Sequence, residues 1–160
     1  MMAVQQVVLD TNVVLDCFLF CDPTARFIVS ALQAKRWQWL ATTDMADEVI
    51  DVVDRPELER WRANRHATLA AMAELGSLIE APLCPPAGPW SGSTPETLIC
   101  GDPDDQKFID LALACSADFL FTRDNALLRL ASRARSSGTR VLRPADWPAH
   151  EATQPHMAQP

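Results

Sequence analysis

The chain has 160 residues, 48% of them hydrophobic and 22% charged, and carries a net charge of −7 at pH 7. That length suits one domain with a real core, and the balance is that of an ordinary globular protein. No stretch approaches the ~20 apolar residues of a membrane span. Asp10 and Asp16 interrupt the N-terminal apolar segment, where a signal peptide needs an unbroken one. A cytoplasmic protein without membrane attachment is expected. The acidity argues against a general nucleic-acid binder that relies on its own cations. It argues less against an enzyme whose divalent ions meet the phosphate.

In chain order, residues 4–9 read as a strand that is apolar on both faces, as in a parallel sheet covered by helices. A helix is expected over 12–20. Asp22-Pro23-Thr24 breaks it and starts another, through 34. A second strand spans 39–42, and Thr43 or Asp44 caps a helix running to 53. After the Arg55-Pro56 break, a long helix covers 56–75, with Gly76 at its C-terminus. Residues 78–79 are a short third strand. Residues 81–101 form a Pro-, Gly- and Ser-rich loop of the length that is often functional. A helix then runs from Asp102-Pro103 to 115, with Pro103 in the favoured first position. A strand at 118–121, a helix at 125–136 and a last strand at 139–142 follow. The alternation predicts an α/β fold, a three-layer α/β/α sandwich with a mostly parallel central sheet. One domain over 1–147 and a disordered tail over 148–160 are expected.

Asp10 interrupts a run, 7–15, that otherwise reads as buried, and an isolated buried carboxylate carries a penalty of several kcal/mol. It needs a partner. Asp124 also falls just past a strand, although Asp there is equally a good helix N-cap. Asp105 precedes Phe108, Ile109 and Ala112 by three, four and seven residues, so it extends their apolar stripe toward the sheet. Asp102 suits the cap of that helix, and Asp104 can face solvent. Asp47, Asp51 and Asp54 make one solvated helix face, whereas Glu48 shares a face with Met45 and Val52. Two acids at strand ends and two on inward faces near helix starts converge on one edge of a parallel sheet. Four crowded carboxylates repel, and a divalent cation removes the repulsion. All-oxygen ligation without His or Cys selects one or two Mg²⁺ or Mn²⁺ ions. Asn12 and Thr122 add neutral oxygens that can hold ligands or waters.

Other features read as structural. Cys17, Cys21, Cys84, Cys100 and Cys115 are too scattered for a zinc site and are expected as buried free thiols. His66, His150 and His156 stand apart from every motif. The tryptophans suit packing better than base stacking, Trp90 in the Pro-rich loop excepted. Arginines gather at 55–65 and 129–143, on solvated helix faces or as tracks for an RNA backbone.

Four segments resemble the PIN-domain family: Val8-Leu9-Asp10-Thr11-Asn12-Val13; Ala46-Asp47-Glu48-Val49-Ile50, trailed by Asp54-Arg55-Pro56-Glu57-Leu58; Gly101-Asp102-Pro103-Asp104-Asp105-Gln106-Lys107-Phe108; and Ala117-Asp118-Phe119-Leu120-Phe121-Thr122-Arg123-Asp124. Their order and spacing agree over 4–143. The likeness is greatest to bacterial VapC-like members, regarded as ribonuclease toxins of toxin–antitoxin systems. The resemblance implies a metal-dependent ribonuclease with catalytic and metal-binding Asp10, Glu48, Asp105 and Asp124, supported by Asn12, Thr122 and Asp102. It also implies an RNA substrate, a homodimer and an antitoxin protein that blocks the site. A further acid often follows the final Asp in the family. Asn125-Ala126-Leu127 offers none here, and Asp102 and Asp104 are the acids available to compensate.

Two other readings compete. An aspartyl phosphatase wants a second Asp two residues after the first, where this chain has Asn12. A phosphate-accepting signalling domain wants a Lys near the last strands, and the chain's only lysines are Lys35 and Lys107. A catalytically silent PIN-fold binding or assembly module fits the fold, but the intact acidic set and the negative charge oppose it.

Overall fold

The computed structural model describes residues 3–80 and 98–147. Five parallel strands form one sheet in the order β3-β2-β1-β4-β5. They are β1 (Gln5–Leu9), β2 (Trp37–Thr42), β3 (Gly76–Ile79), β4 (Phe119–Phe121) and β5 (Arg140–Leu142). All four pairings are parallel, so the expected mostly parallel sheet is entirely so. Seven α-helices accompany it among the described residues: α1 (Thr11–Phe18), α2 (Arg26–Gln33), α3 (Thr43–Val53), α4 (Arg62–Leu75), α5 (Gln106–Ala114), α6 (Asn125–Leu128) and α7 (Ala131–Ser136). The predicted α/β sandwich is the fold observed.

Both faces of the sheet are covered, which is why its central strands are apolar throughout. On one face Val7, Leu9, Trp39 and Phe121 pack against Val13, Ile28 and Val49. On the other, Val8, Leu40 and Leu120 pack against Phe108, Ile109 and Leu127. Side chains of this size contribute about 1.5–3 kcal/mol each when fully buried. The first face is also aromatic: Trp37 and Phe121 have ring centroids 5.6 Å apart, and Phe27 stacks on Trp147 at 5.2 Å. Of the five tryptophans, Trp37 and Trp39 are buried, Trp61 and Trp147 half-buried. Trp90, the tail over 148–160 and the Pro-rich segment up to 97 lie outside the described residues.

Several predicted helices are subdivided. Pro23–Ala25, Pro56–Trp61 and Pro103–Asp105 are tight 3₁₀ turns that precede α2, α4 and α5. Each begins at the proline, whose fixed φ starts the turn but removes a donor. The predicted helix over 56–75 turns at Trp61, and there the indole meets Phe20 edge-on at 4.7 Å. The helix over 125–136 breaks between α6 and α7, and the break keeps Leu127, Leu130 and Ala134 all buried. Gly76 ends α4 and immediately begins β3. A Cβ there would lie 2.6 Å from the Met72 carbonyl oxygen, so only glycine permits this direct passage. Cys17 and Cys100 are buried free thiols and Cys115 is partly buried, but Cys21 is exposed, contrary to expectation. It sits with φ 51° just after α1, where the chain reverses and no core lies over it. Among the described residues no helix is long and apolar enough to cross a membrane.

Candidate metal centre

The strand order reverses between β1 and β4. Chain progress runs outward from β1 through β2 to β3, then returns to the other side of β1 as β4. The crevice beyond the C-terminal ends of β1 and β4 is the switch point where open α/β sheets bind ligands. Asp10 stands at its base. Its N–H donates to the Phe121 carbonyl at 3.0 Å, continuing the β1–β4 ladder by one residue. Its side chain caps α1, with Oδ1 accepting from the Asn12 N–H at 3.4 Å. Oδ2 accepts from the Thr122 hydroxyl at 2.7 Å. Thr122 is itself wholly buried, and its oxygen accepts from the Asp124 N–H at 2.9 Å. One hydroxyl thus ties together the acids that follow two adjacent strands.

Asp124 caps α6 by accepting from the Ala126 N–H at 2.7 Å. The cap reading is therefore borne out for it. Asp102 caps the turn before α5, accepting from the Asp104 N–H at 2.9 Å. Asp102, Asp105 and Asp124 each offer a carboxylate oxygen, and these lie within 4.8 Å of one another. Asp104, the other acid able to replace the missing one, is exposed. Asp105 turns inward as its helical position requires, and its Oδ2 is buried without a hydrogen-bond partner. A buried carboxylate oxygen left so, beside two further acids, is a donor set that fits a hard divalent cation.

The electrostatics agree. Burial pushes the Asp105 carboxyl up to about 7, helped by a hydrogen bond from its protonated form to Asp124 and by repulsion from Asp10, Asp124 and Asp102. Burial also raises Asp10, against the lowering effect of the Thr122 hydroxyl and the Asn12 N–H; Asp124 and Glu48 repel it further. Raised carboxyls that sense one another mark a site short of positive charge.

Glu48 stands outside the close trio. Its Oε1 accepts from the Thr11 hydroxyl at 2.8 Å, and its Oε2 pairs with the Lys107 ammonium. It remains near enough to Asp10 to raise that carboxyl. The acidic face predicted at Asp47, Asp51 and Asp54 is exposed. The Asn12 side chain is exposed as well, and its backbone N–H is the group that touches Asp10.

Three residues escaped the sequence reading. Lys107 follows Asp105 by two and neutralises Glu48. Asp16 is 4% exposed in α1, and Arg123 pairs with its Oδ2 through Nε at 2.9 Å. Asp16 carried a signal, since it interrupts the N-terminal apolar segment as Asp10 does. The gathered arginines are partly committed elsewhere: Arg62 pairs with Glu59 and Arg65 with Asp54.

Comparison with known families gives one match: the profile described as the PIN domain fits residues 6–126. No curated protein matches the chain significantly.

Proposed function

The chain belongs to the PIN-domain family, and from that premise we propose that it is a metal-dependent endoribonuclease, hydrolysing RNA phosphodiester bonds. The observation that carries this reading is the trio Asp102, Asp105 and Asp124 beside buried Asp10 at the switch point of the sheet. Asp10, Asp105 and Asp124 would hold the metal, with Asp102 standing in for the further acid that Asn125-Ala126-Leu127 does not supply. When bound, one or two Mg²⁺ or Mn²⁺ ions supply the charge that activates water and steadies the leaving oxygen.

The chain's own groups do the rest. Thr122 fixes the Asp10 carboxylate and the Asp124 backbone in one hydrogen-bonded unit, so neither acid has to reorganise when the cation arrives. Asp105 would give up its proton on becoming a ligand. Glu48, steered by Thr11, binds metal, orients the attacking water, or both. In-line hydrolysis leaves 5′-phosphate and 3′-hydroxyl ends. The closeness of the four motif segments to VapC-like proteins supports a finer reading. In it the protein is the cytoplasmic toxin of a toxin–antitoxin pair, works as a homodimer, and is silenced by an antitoxin segment laid over the site.

The test is cleavage of defined RNAs with Mg²⁺ or Mn²⁺, with and without chelator, comparing the parent with Asp10→Asn. The parent should cut only with metal, and the variant should fold but not cut. If Asp10→Asn cuts as well as the parent, the assignment fails.

A further inference from the structure

We propose that Arg123 is the phosphate anchor for the RNA strand at this site, and that buried Asp16 aims it. The inference takes its substrate class from the ribonuclease reading. Its own basis is a different pair of residues.

Asp16 lies on α1, six residues past the capping Asp10, with its side chain 5% exposed. Arg123 lies between Thr122 and Asp124, so its backbone is fixed on both sides by the metal centre. Its side chain is 50% exposed, yet its Nε is held at 2.9 Å by the buried carboxylate. Burial raises the Asp16 carboxyl and Arg123 lowers it, while Asp22 and Asp10 repel it. An ion pair with one partner half exposed contributes little net stability, because solvent screens it. What it does supply is orientation. Arginine has five donors in a rigid fork, and engagement through Nε leaves the terminal nitrogens for a second acceptor. That acceptor must be anionic and planar or tetrahedral, and phosphate fits the fork.

Charge calls for a cation beside this centre, and Arg143, which donates to Asn125 Oδ1 at 2.9 Å, is the other arginine next to it. The chain is net −7 and its candidate centre is a group of carboxylates, so an RNA strand is repelled wherever the metal does not cover them. A strand crossing the centre needs a cation beside it. Lys107 is committed to Glu48. Arg62 and Arg65 are committed to other acids on their own part of the surface. Arg123 is one residue from Asp124, and half of its side chain is exposed to solvent.

The experiment measures binding of a fluorescent single-stranded RNA by anisotropy over a range of salt, in the Asp10→Asn background with Mg²⁺. Arg123→Gln should weaken binding roughly tenfold, as expected for a lost charge-assisted hydrogen bond. It should also lower the slope of log affinity against log salt by about 0.7, one phosphate contact on a single strand. Arg123→Lys should keep the slope but lose affinity, because an ammonium is a point charge without the planar fork that spans Asp16 and phosphate. Arg36→Gln, exposed at the opposite edge of the sheet, should change neither.

Arg123→Gln leaves Asp16 buried and unpaired, so it should also melt earlier. The double variant Asp16→Asn with Arg123→Gln separates the roles. Here it should recover melting temperature without recovering RNA affinity. Recovery of affinity in the double variant makes the pair a strut and overturns the proposal. So does unchanged affinity and slope in Arg123→Gln, or absence of RNA binding throughout. Cleavage by the parent is scored separately. Cleavage with unchanged Arg123→Gln affinity sinks this inference alone. No cleavage, with the Arg123→Gln loss intact, sinks the nuclease reading and keeps the anchor.

Discussion

Thr122 uses both capacities of its hydroxyl on the acids beside it, donating to Asp10 and accepting from the Asp124 N–H. Thr122→Val keeps the shape and removes both bonds. It should cost about 1–3 kcal/mol, the range for buried partners left unsatisfied, read by urea unfolding. Mn²⁺ affinity measured by calorimetry should fall with it, and Thr122→Ser should restore most of both. Asp105 supplies a pH dependence. Its folded-state carboxyl titrates at about 7, above the ordinary 3.8. The metal-free native state therefore binds more protons than the unfolded chain between those values. Stability from this group is complete below pH 3.8 and is lost as pH rises toward 7, levelling off above. Thermal melts of chelator-treated protein should show that decline, and Asp105→Asn should flatten it. A melting temperature that rises from pH 5 to 7 in the parent, with no decline removed by Asp105→Asn, would contradict the shift.

At the scale of elements, the turn that opens α5 presents the acids, and Gln106 secures the start of the helix. The Gln106 side chain accepts from the Cys100 N–H at 2.7 Å and donates to the Leu98 carbonyl at 2.7 Å and to Asp110 at 2.9 Å. It closes the incoming segment onto the first turn, which holds Asp102 and Asp105 in position. Gln106→Ala should destabilise by about 1–3 kcal/mol, since Leu98 and Cys100 are buried and their backbone groups lose their partner. Faster hydrogen exchange at Cys100 would report it directly. This interaction left no mark in the sequence, because a glutamine six residues from a cysteine has no periodic signature. The helix itself did: the apolar stripe at Phe108, Ile109 and Ala112 predicted which way Asp105 faces. The breaks at Trp61 and between α6 and α7 were not legible either, since contact with a distant residue, Phe20 in the first case, accompanies the turn.

At the scale of the molecule, the candidate centre gathers residues from the cap of α1, from α3, from the turn before α5 and from the segment after β4 around one edge of the sheet. A cation bound there links those segments in the folded state alone. Mn²⁺ at a hundredfold excess over its dissociation constant should stabilise the protein by about 2.7 kcal/mol, seen as a rise in melting temperature that chelator reverses. The rise should shrink at pH 5, where Asp105 keeps its proton and competes with the metal. No metal-dependent shift at pH 8 would remove the metal centre.

By itself the sequence determined the layered α/β architecture, because apolar runs bounded by Pro and Gly carry their own period of two or 3.6. It also marked Asp10, Glu48, Asp105 and Asp124, because a charge on an apolar face is out of pattern wherever it occurs. The tertiary structure decided which charges meet. It drew Asp102 into the close group, set Glu48 against Lys107, and joined Asp16 to Arg123 across 107 residues of chain. Those pairings arise from strand order and helix placement. Parallel crossovers return each strand end to the same edge, and only the order β3-β2-β1-β4-β5 makes the ends of β1 and β4 neighbours. A pattern along the chain records which face a residue takes, while its partner across the sheet is fixed by packing.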